Sequence, residues 1–329
     1  MPIYGADRAP FFTFQNSFGT IADTTNSAQS IPALSDSISI KRGVNFQKAL
    51  KGSYDEPQNY AGMSEVSGEL AIEANPISMG YMLGAFFGTA VVTTSDDLRT
   101  HSWQPKTAAF DSTIGSSWKR PCTYSVVGKF GGTSGNYYNL VANTLNIGIA
   151  NGELLKMTCG FIGGRDDGDA FSKSHAFPTE APFTWDASSI SIDNLGAVSE
   201  IKELTINLED PVEPKYYLDG GFWPGKNVLT GQRKVSVSGS LLYDTNSFYQ
   251  AFKNKDELDF DITFQDATEI QSGYYNKFNM ILRRVRIETA EANRTGPGEV
   301  MLSFNGNAHY DTADAEIAIF TLTNTKSAY

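Results

Sequence analysis

The chain has 329 residues, 40% hydrophobic and 19% charged, with a formal net charge of −11. That length and apolar content suit roughly two hydrophobic cores, and so few cations exclude a protein that grips nucleic acid by neutralising phosphates. Two distant cysteines, Cys122 and Cys159, make neither a disulfide framework nor a zinc site.

In chain order, residues 1–30 are polar and aromatic without a period and read as an N-terminal arm. Their opening, MPIYGADRAPFFTF, has no basic segment leading into an apolar one, so synthesis in a cytosol is expected. SISI follows at Ser37–Ile40, and a long polar stretch covers about Lys41–Met63. In VSGELAIE, Val66, Gly68, Leu70 and Ile72 alternate with Ser67, Glu69, Ala71 and Glu73, the period of a half-buried strand. Asn75-Pro76 then predicts a helix start, with Met79, Leu83, Phe86 and Phe87 at helical spacing up to Gly88. The apolar run Met79–Val92 is too short and too glycine-broken to span a bilayer, so no membrane partner is expected. Further strands are predicted at Thr144–Ile149, Leu154–Ile162, Ile201–Leu208, Leu258–Phe264, Ile281–Glu288 and Val300–Asn305. Gly163–Pro182 lacks periodicity and reads as a linker, and a second long stretch covers about Asp210–Gly231.

Four segments recur in the same order. SISI returns at Ser189–Ile192, and VSGELAIEAN returns as VSGSLLYDTN, Val237–Asn246, ahead of a second short helix around Phe248, Ala251 and Phe252. SGNYYN at Ser134–Asn139 answers to SGYYN at Ser272–Asn276, and GELLKMTCG at Gly152–Gly160 answers to GEVMLSFNG at Gly298–Gly306. Collinear repetition predicts an internal duplication: a mainly β (α+β) chain of two tandem β-sandwich or barrel domains, each with one short helix. The expected divisions are an arm at 1–30, a first domain at 31–162, a linker at 163–182, a second domain at 183–323 and a tail at 324–329.

Residues that carry chemistry are scarce. His101, His175 and His309 fall in no metal-binding or general-base spacing. The glycine-rich GKFGGTSG, Gly128–Gly135, lacks the lysine and hydroxyl of a phosphate loop and reads as a hairpin turn. Asp166, Asp167 and Asp169 are not spaced as calcium ligands. LRRVRIE, Leu282–Glu288, places Arg284 and Arg286 on one strand face, where a solvated surface or salt bridges are expected before a DNA patch. No catalytic, cofactor-binding or metal residue is predicted, and the chain is not expected to be an enzyme.

The run from Gly62 to Leu70, the step VSGELAIEANPISMGYMLGAFFG, GELLKMTCG and the closing FTLTNTKSAY resemble the major tail tube proteins of long-tailed bacteriophages, in the branch that carries two tube domains in one chain. The resemblance implies β-sandwiches flanked by a helix, closing three chains to a pseudo-hexameric ring. Stacked rings would form the virion tail tube, made in the bacterial host cytoplasm. It also implies partners: further copies of the chain, tape-measure, tail-tip and tail-terminator proteins, and double-stranded DNA in passage without specific binding. If the VSG strands line the conduit, Ser67, Glu69, Glu73, Ser238, Ser240 and Asp244 are the candidates to face DNA. The competing readings are a capsid decoration or baseplate protein and a carbohydrate-binding β-sandwich using Trp223. An enzyme with an unrecognised site and a single-domain effector tube fit less of the sequence.

Overall fold

The protein is represented by a computed structural model, which describes residues 10–15, 18–19, 28–46, 59–95, 98–105, 121–130, 133–166, 173–193, 195–198, 200–218, 221–243, 247–271, 273–293, 299–314 and 316–329. The first half contains β1 (Pro10–Phe14), β2 (Gln29–Ser30), β3 (Ala33–Asp36), β4 (Ser39–Phe46) and β5 (Asn59–Glu73). Helix α1 (Ser78–Phe87), β6 (Val91–Ser95), β7 (Leu98–Trp103), β8 (Cys122–Phe130), β9 (Thr133–Ala150) and β10 (Lys156–Asp166) complete it. After a 3-10 turn at Trp185–Ala187 come β11 (Ser188–Ile192), β12 (Gly196–Ala197), β13 (Ile201–Glu209), β14 (Val212–Lys215), β15 (Lys226–Leu229) and β16 (Lys234–Leu242). The chain continues through α2 (Ser247–Asn254), β17 (Glu257–Gln271), β18 (Tyr274–Asn293), β19 (Met301–Asn307) and β20 (Ala318–Asn324). The expected mainly β class is the class observed, with one short helix in each half among the described residues.

Strand pairing follows the same order in both halves. In the first, β4 pairs with β5, β5 with β10, and β10 with β9. In the second, β13 pairs with β16, β16 with β19, and β19 with β18. Each VSG strand thus holds the same place, and its glycine lies opposite a phenylalanine: Gly68 against Phe161, Gly239 against Phe304. A Cβ on Gly68 would sit 2.6 Å from the Ile38 backbone, and one on Gly239 would sit 2.5 Å from the Glu203 carbonyl. Neighbouring backbone approaches too closely for any side chain at either position, which is why both require glycine.

The same pairings correct two of the sequence matches. Ser39 and Ile40 of the first SISI pair with β5, but the second SISI is β11 and pairs with β17. The counterpart of β4 is therefore β13. The match of Gly160 with Gly306 also moves by three residues, because Leu70 faces Cys159 whereas Leu241 faces Leu302. Phe161 then corresponds to Phe304, and both are buried.

Strands β9 and β18 each serve two sheets. Their first parts pair with β8 and β17 in outer sheets, and their later parts enter the inner sheet with β10 and β19. Each has a non-glycine residue at positive φ, Asn139 (61°) and Arg284 (45°), where the chain bends from one sheet toward the other. Local bonds hold both bends. The Asn139 N–H donates to Gln15 Oε1 (2.6 Å), and the Arg284 N–H donates to Asp259 Oδ1 (2.8 Å).

Helix α1 lies in the core of the first half, and all ten of its residues are buried. It begins at Ser78, two residues beyond the proline that was expected to open it. Asn75 still caps it, since its Oδ1 accepts from the N–H of Ile77 (3.1 Å) and of Ser78 (2.6 Å). Residues after β20 close over the helix: Tyr329 Oη donates to the Pro76 carbonyl (3.1 Å), and its ring meets Tyr81 edge-on at 5.3 Å. Gly80 is required beneath that ring, because a Cβ there would lie 2.1 Å from Tyr329 Cζ.

The expected arm is only partly an arm, because Pro10–Phe14 is a fully buried strand paired with β8. The expected linker also starts later than Gly163, since β10 runs to Asp166. Residues 167–172 lie outside the described residues, and Asp167 and Asp169 with them.

Candidate functional site: a polar sheet face and its two edges

Among the described residues two strand pairings join the halves. Strand β20 pairs with β7, with Phe320 opposite Trp103, so the first half's β6–β7 hairpin completes the second half's outer sheet. The second junction is in the inner sheet, where β9 pairs with β13 from Thr144–Glu209 to Ala150–Glu203. The inner sheet is therefore continuous across the chain in the order β4, β5, β10, β9, β13, β16, β19, β18.

Its two faces differ sharply in chemistry. One carries Ile72, Met157, Ile147, Ile206 and Val237 in a single register row, all buried against the helices and outer sheets. The next row, on the other face, reads Glu73, Lys156, Gly148, Thr205, Ser238, Asn305 and Thr289. Beyond it lie Ala71, Thr158, Asn146, Asn207, Ser236 and Asn307. Asn146 Nδ2 donates to Asn207 Oδ1 across the junction. Over this face Glu65, Glu69, Glu73, Glu203, Glu209 and Glu291 outnumber Lys41, Lys156, Lys234 and Arg286, leaving it polar and weakly acidic.

Five of the six residues singled out from sequence, Ser67, Glu69, Glu73, Ser238 and Ser240, lie on this one face. Asp244 lies outside the described residues. The five are not equally open. Ser67 is 5% exposed and Ser240 is 9% exposed, with Ser240 Oγ donating to Glu203 Oε1 at 2.9 Å. Glu69 is exposed, while Glu73 and Ser238 are half-buried. Alternation in sequence identified the face, but not the neighbour that covers a given hydroxyl. It also missed Glu203, Glu209 and Glu291, which reach the face only through pairings between distant segments.

The sheet ends in two strands with one inner-sheet neighbour each among the described residues. Strand β4 pairs with β5 alone, and β18 beyond Arg286 pairs with β19 alone. The long segment after β13 forms the β14–β15 hairpin, which folds onto the first half. Val212 and Leu229 pack against Val141, and the Ser64 N–H donates to the Phe222 carbonyl (2.8 Å). Tyr217, Leu218 and Phe222 stand exposed at its tip, as do Val44, Phe46, Tyr60 and Met63 along β4 and β5. Trp223 is half-buried against the main core, which corrects its reading as an exposed aromatic.

The remaining sequence candidates have structural roles. Arg284 Nε and Arg286 Nη2 both donate to Glu257, each at 2.7 Å, and the bond from Arg284 holds that carboxyl below its ordinary value. His101 is buried between the halves, its Nε2 2.9 Å from the Lys326 carbonyl, and burial lowers its pKa. His175 stacks between Phe11 and Phe177. Phe130 pairs with Thr133, so the glycine-rich run forms the expected hairpin. Among the described residues no group of three or more acidic, histidine or cysteine side chains is placed to hold a metal ion. No helix among them is long and apolar enough to cross a membrane.

A search of curated proteins finds no match. A protein-family comparison does: the family described as phage tail tube protein matches residues 5–308. With that match over nearly the whole chain, on a mainly β fold, the chain belongs to the phage tail tube protein family.

Proposed function

We propose that three copies of this chain close into a ring of quasi-sixfold symmetry, and that rings stack into the tail tube through which DNA leaves the virion. The observation that carries the reading is the inner sheet. It is continuous through both halves, greasy on the face toward the helices and polar on the other, and among the described residues it is bounded by two strands with one neighbour each. An open sheet with free edges invites association, and closure on itself removes them. The repeated order of strand pairing supports descent of the halves from one duplicated unit, with domains near 31–162 and 183–323.

On this reading the polar face lines the conduit. A weak excess of carboxylates among serine, threonine and asparagine repels phosphate without trapping it, as rapid passage requires. The exposed apolar tips at Met63 and at Tyr217, Leu218 and Phe222 are the surfaces for neighbouring subunits and rings. Stacking is head-to-tail and does not close, so it yields a filament. Tape-measure, tail-tip and terminator proteins would meet this filament at its bore and ends, after synthesis in the bacterial cytoplasm. The role is structural and uses no catalytic group.

Negative-stain microscopy of concentrated protein tests the assembly. Hollow tubes with threefold or sixfold end views are expected, and closed oligomers that never stack would favour a decoration or baseplate protein instead. Glu69→Lys tests the conduit: tubes should form normally while genome delivery slows, and unchanged delivery would remove Glu69 from the bore.

A further inference from the structure

We infer that α1 and β7 form a standing slot for a tyrosyl ring, which the chain fills with its own Tyr329, and that residues 325–329 act as a strap that opens while β20 stays paired. The device belongs to one subunit and needs no ring of subunits around it.

Gly80 is the floor of the slot, and the rings of Tyr81, His101 and Trp103 surround it, with centroids 5.3, 4.8 and 5.9 Å from that of Tyr329. These walls are held without the strap: His101 and Trp103 are buried on β7, and Trp103 Nε1 donates to the Gly88 carbonyl (3.2 Å). The Pro76 carbonyl accepts from Tyr329 Oη (3.1 Å), while Asn324 Nδ2 donates to Oη (2.6 Å) and to that carbonyl (2.7 Å). The hydroxyl thus donates once and accepts once, as a phenol can and an apolar ring cannot. Burial pushes it well above the ordinary phenol value, so the slot holds the neutral form.

The strap itself is tied differently from the strand before it. Pairing of β20 with β7 ends at Asn324 opposite Arg99, and none of residues 325–329 lies in a strand. Asn324 is fully buried, and its Oδ1 accepts from the Lys326 N–H (3.0 Å). The His101 Nε2–H donates to the Lys326 carbonyl (2.9 Å), and Lys326 Nζ stands 5.2 Å from the Tyr81 ring centroid. Thr325, Ser327 and Ala328 between these ties are exposed. Withdrawing Tyr329 and freeing the Lys326 carbonyl therefore releases the strap without breaking a ladder bond, as in a local opening. Opening uncovers aromatic surface on α1 and β7, where the outer junction joins the halves.

Two experiments on the full chain test this. Trypsin cuts after Lys326 only when that carbonyl leaves His101 for the protease's oxyanion hole, so brief digestion reads the open population. Tyr329→Ala and Gly80→Ala should each speed this cut at least about tenfold while circular dichroism remains native. Gly84→Ala makes the same change on the same helix but meets the Phe14 ring, 2.7 Å away, and should leave the cut at the wild-type rate. A wild-type rate in Tyr329→Ala, or equal acceleration by both glycine variants, overturns the strap. The slot is tested with p-cresol, the tyrosine side chain as a free molecule. It should raise the melting temperature of Tyr329→Ala by about 2–4 °C and leave the wild type unchanged. Equal shifts in the two proteins, or none in either, overturn the slot. Toluene, which lacks the hydroxyl, should do less, and an effect as large as that of p-cresol overturns the part given to Pro76 and Asn324.

Discussion

Helices α1 and α2 occupy matching places after the VSG strands, yet they differ in how far they are buried. In α1 all ten residues are buried, with Phe14 over Gly84 and Tyr329 over Gly80. In α2 only Phe248 and Ala251 are buried, and the helix keeps an ordinary amphipathic character. The difference comes from what lies above each. The first half carries the extra β6–β7 hairpin and receives the segment after β20, whereas α2 leads directly to β17. The first half is thus the place where the two ends of the chain are locked together.

This contrast can be broken by paired substitutions. Phe86→Ala in α1 should cost about 3–5 kcal/mol, as for a fully enclosed aromatic, whereas Phe252→Ala on half-buried α2 should cost less than half as much. Chemical denaturation of both variants measures this, and equal losses would show that α2 is as enclosed as α1. Asn75→Ala removes the side-chain cap of α1 and should cost about 1 kcal/mol in the same measurement.

The smallest effect concerns His101 at the β7–β20 junction. Burial holds its imidazole below the usual 6.5, with Arg99 and Lys326 adding like charge. Its neutral form is therefore favoured on folding. That contribution is complete above pH 6.5, shrinks as the pH falls through 6.5 toward the lower folded value, and is flat below it. The melting temperature should fall between pH 7.5 and pH 5, and the part of that fall due to His101 should vanish in His101→Gln. An unchanged profile in the variant would show that this junction has no part in the acid response.

How much of this was legible in the sequence follows the range of each interaction. Val66–Glu73 and Val237–Leu241 announced strands, because alternation records burial on one face locally. Asn75 announced a cap for the same reason. The β4 and β13 equivalence did not show, since SISI is repeated in a strand with a different partner. Nor did the β6–β7 crossover, because Val91–Ser95 is exposed throughout and Phe320–Trp103 is a pairing without a local signal. For the site, sequence gave Glu69 and Glu73 on one strand, while the strands beside them supplied Glu203, Glu209 and Glu291 only once the sheet was assembled.

The β7–β20 junction also has a consequence in time. Thr100 and Thr323 bond to one another (3.2 Å) across 223 residues of sequence. At a translation rate of about 5–20 residues per second, β7 waits roughly 10–45 s for its partner to be made. Through that interval α1 lacks the cover of Tyr329, and β7, Leu98–Trp103, lacks the strand that pairs with its second edge. A nascent first half is thus at its most adhesive while synthesis is under way, so crowded ribosomes on one message, rather than finished subunits, are where premature association has to be held off.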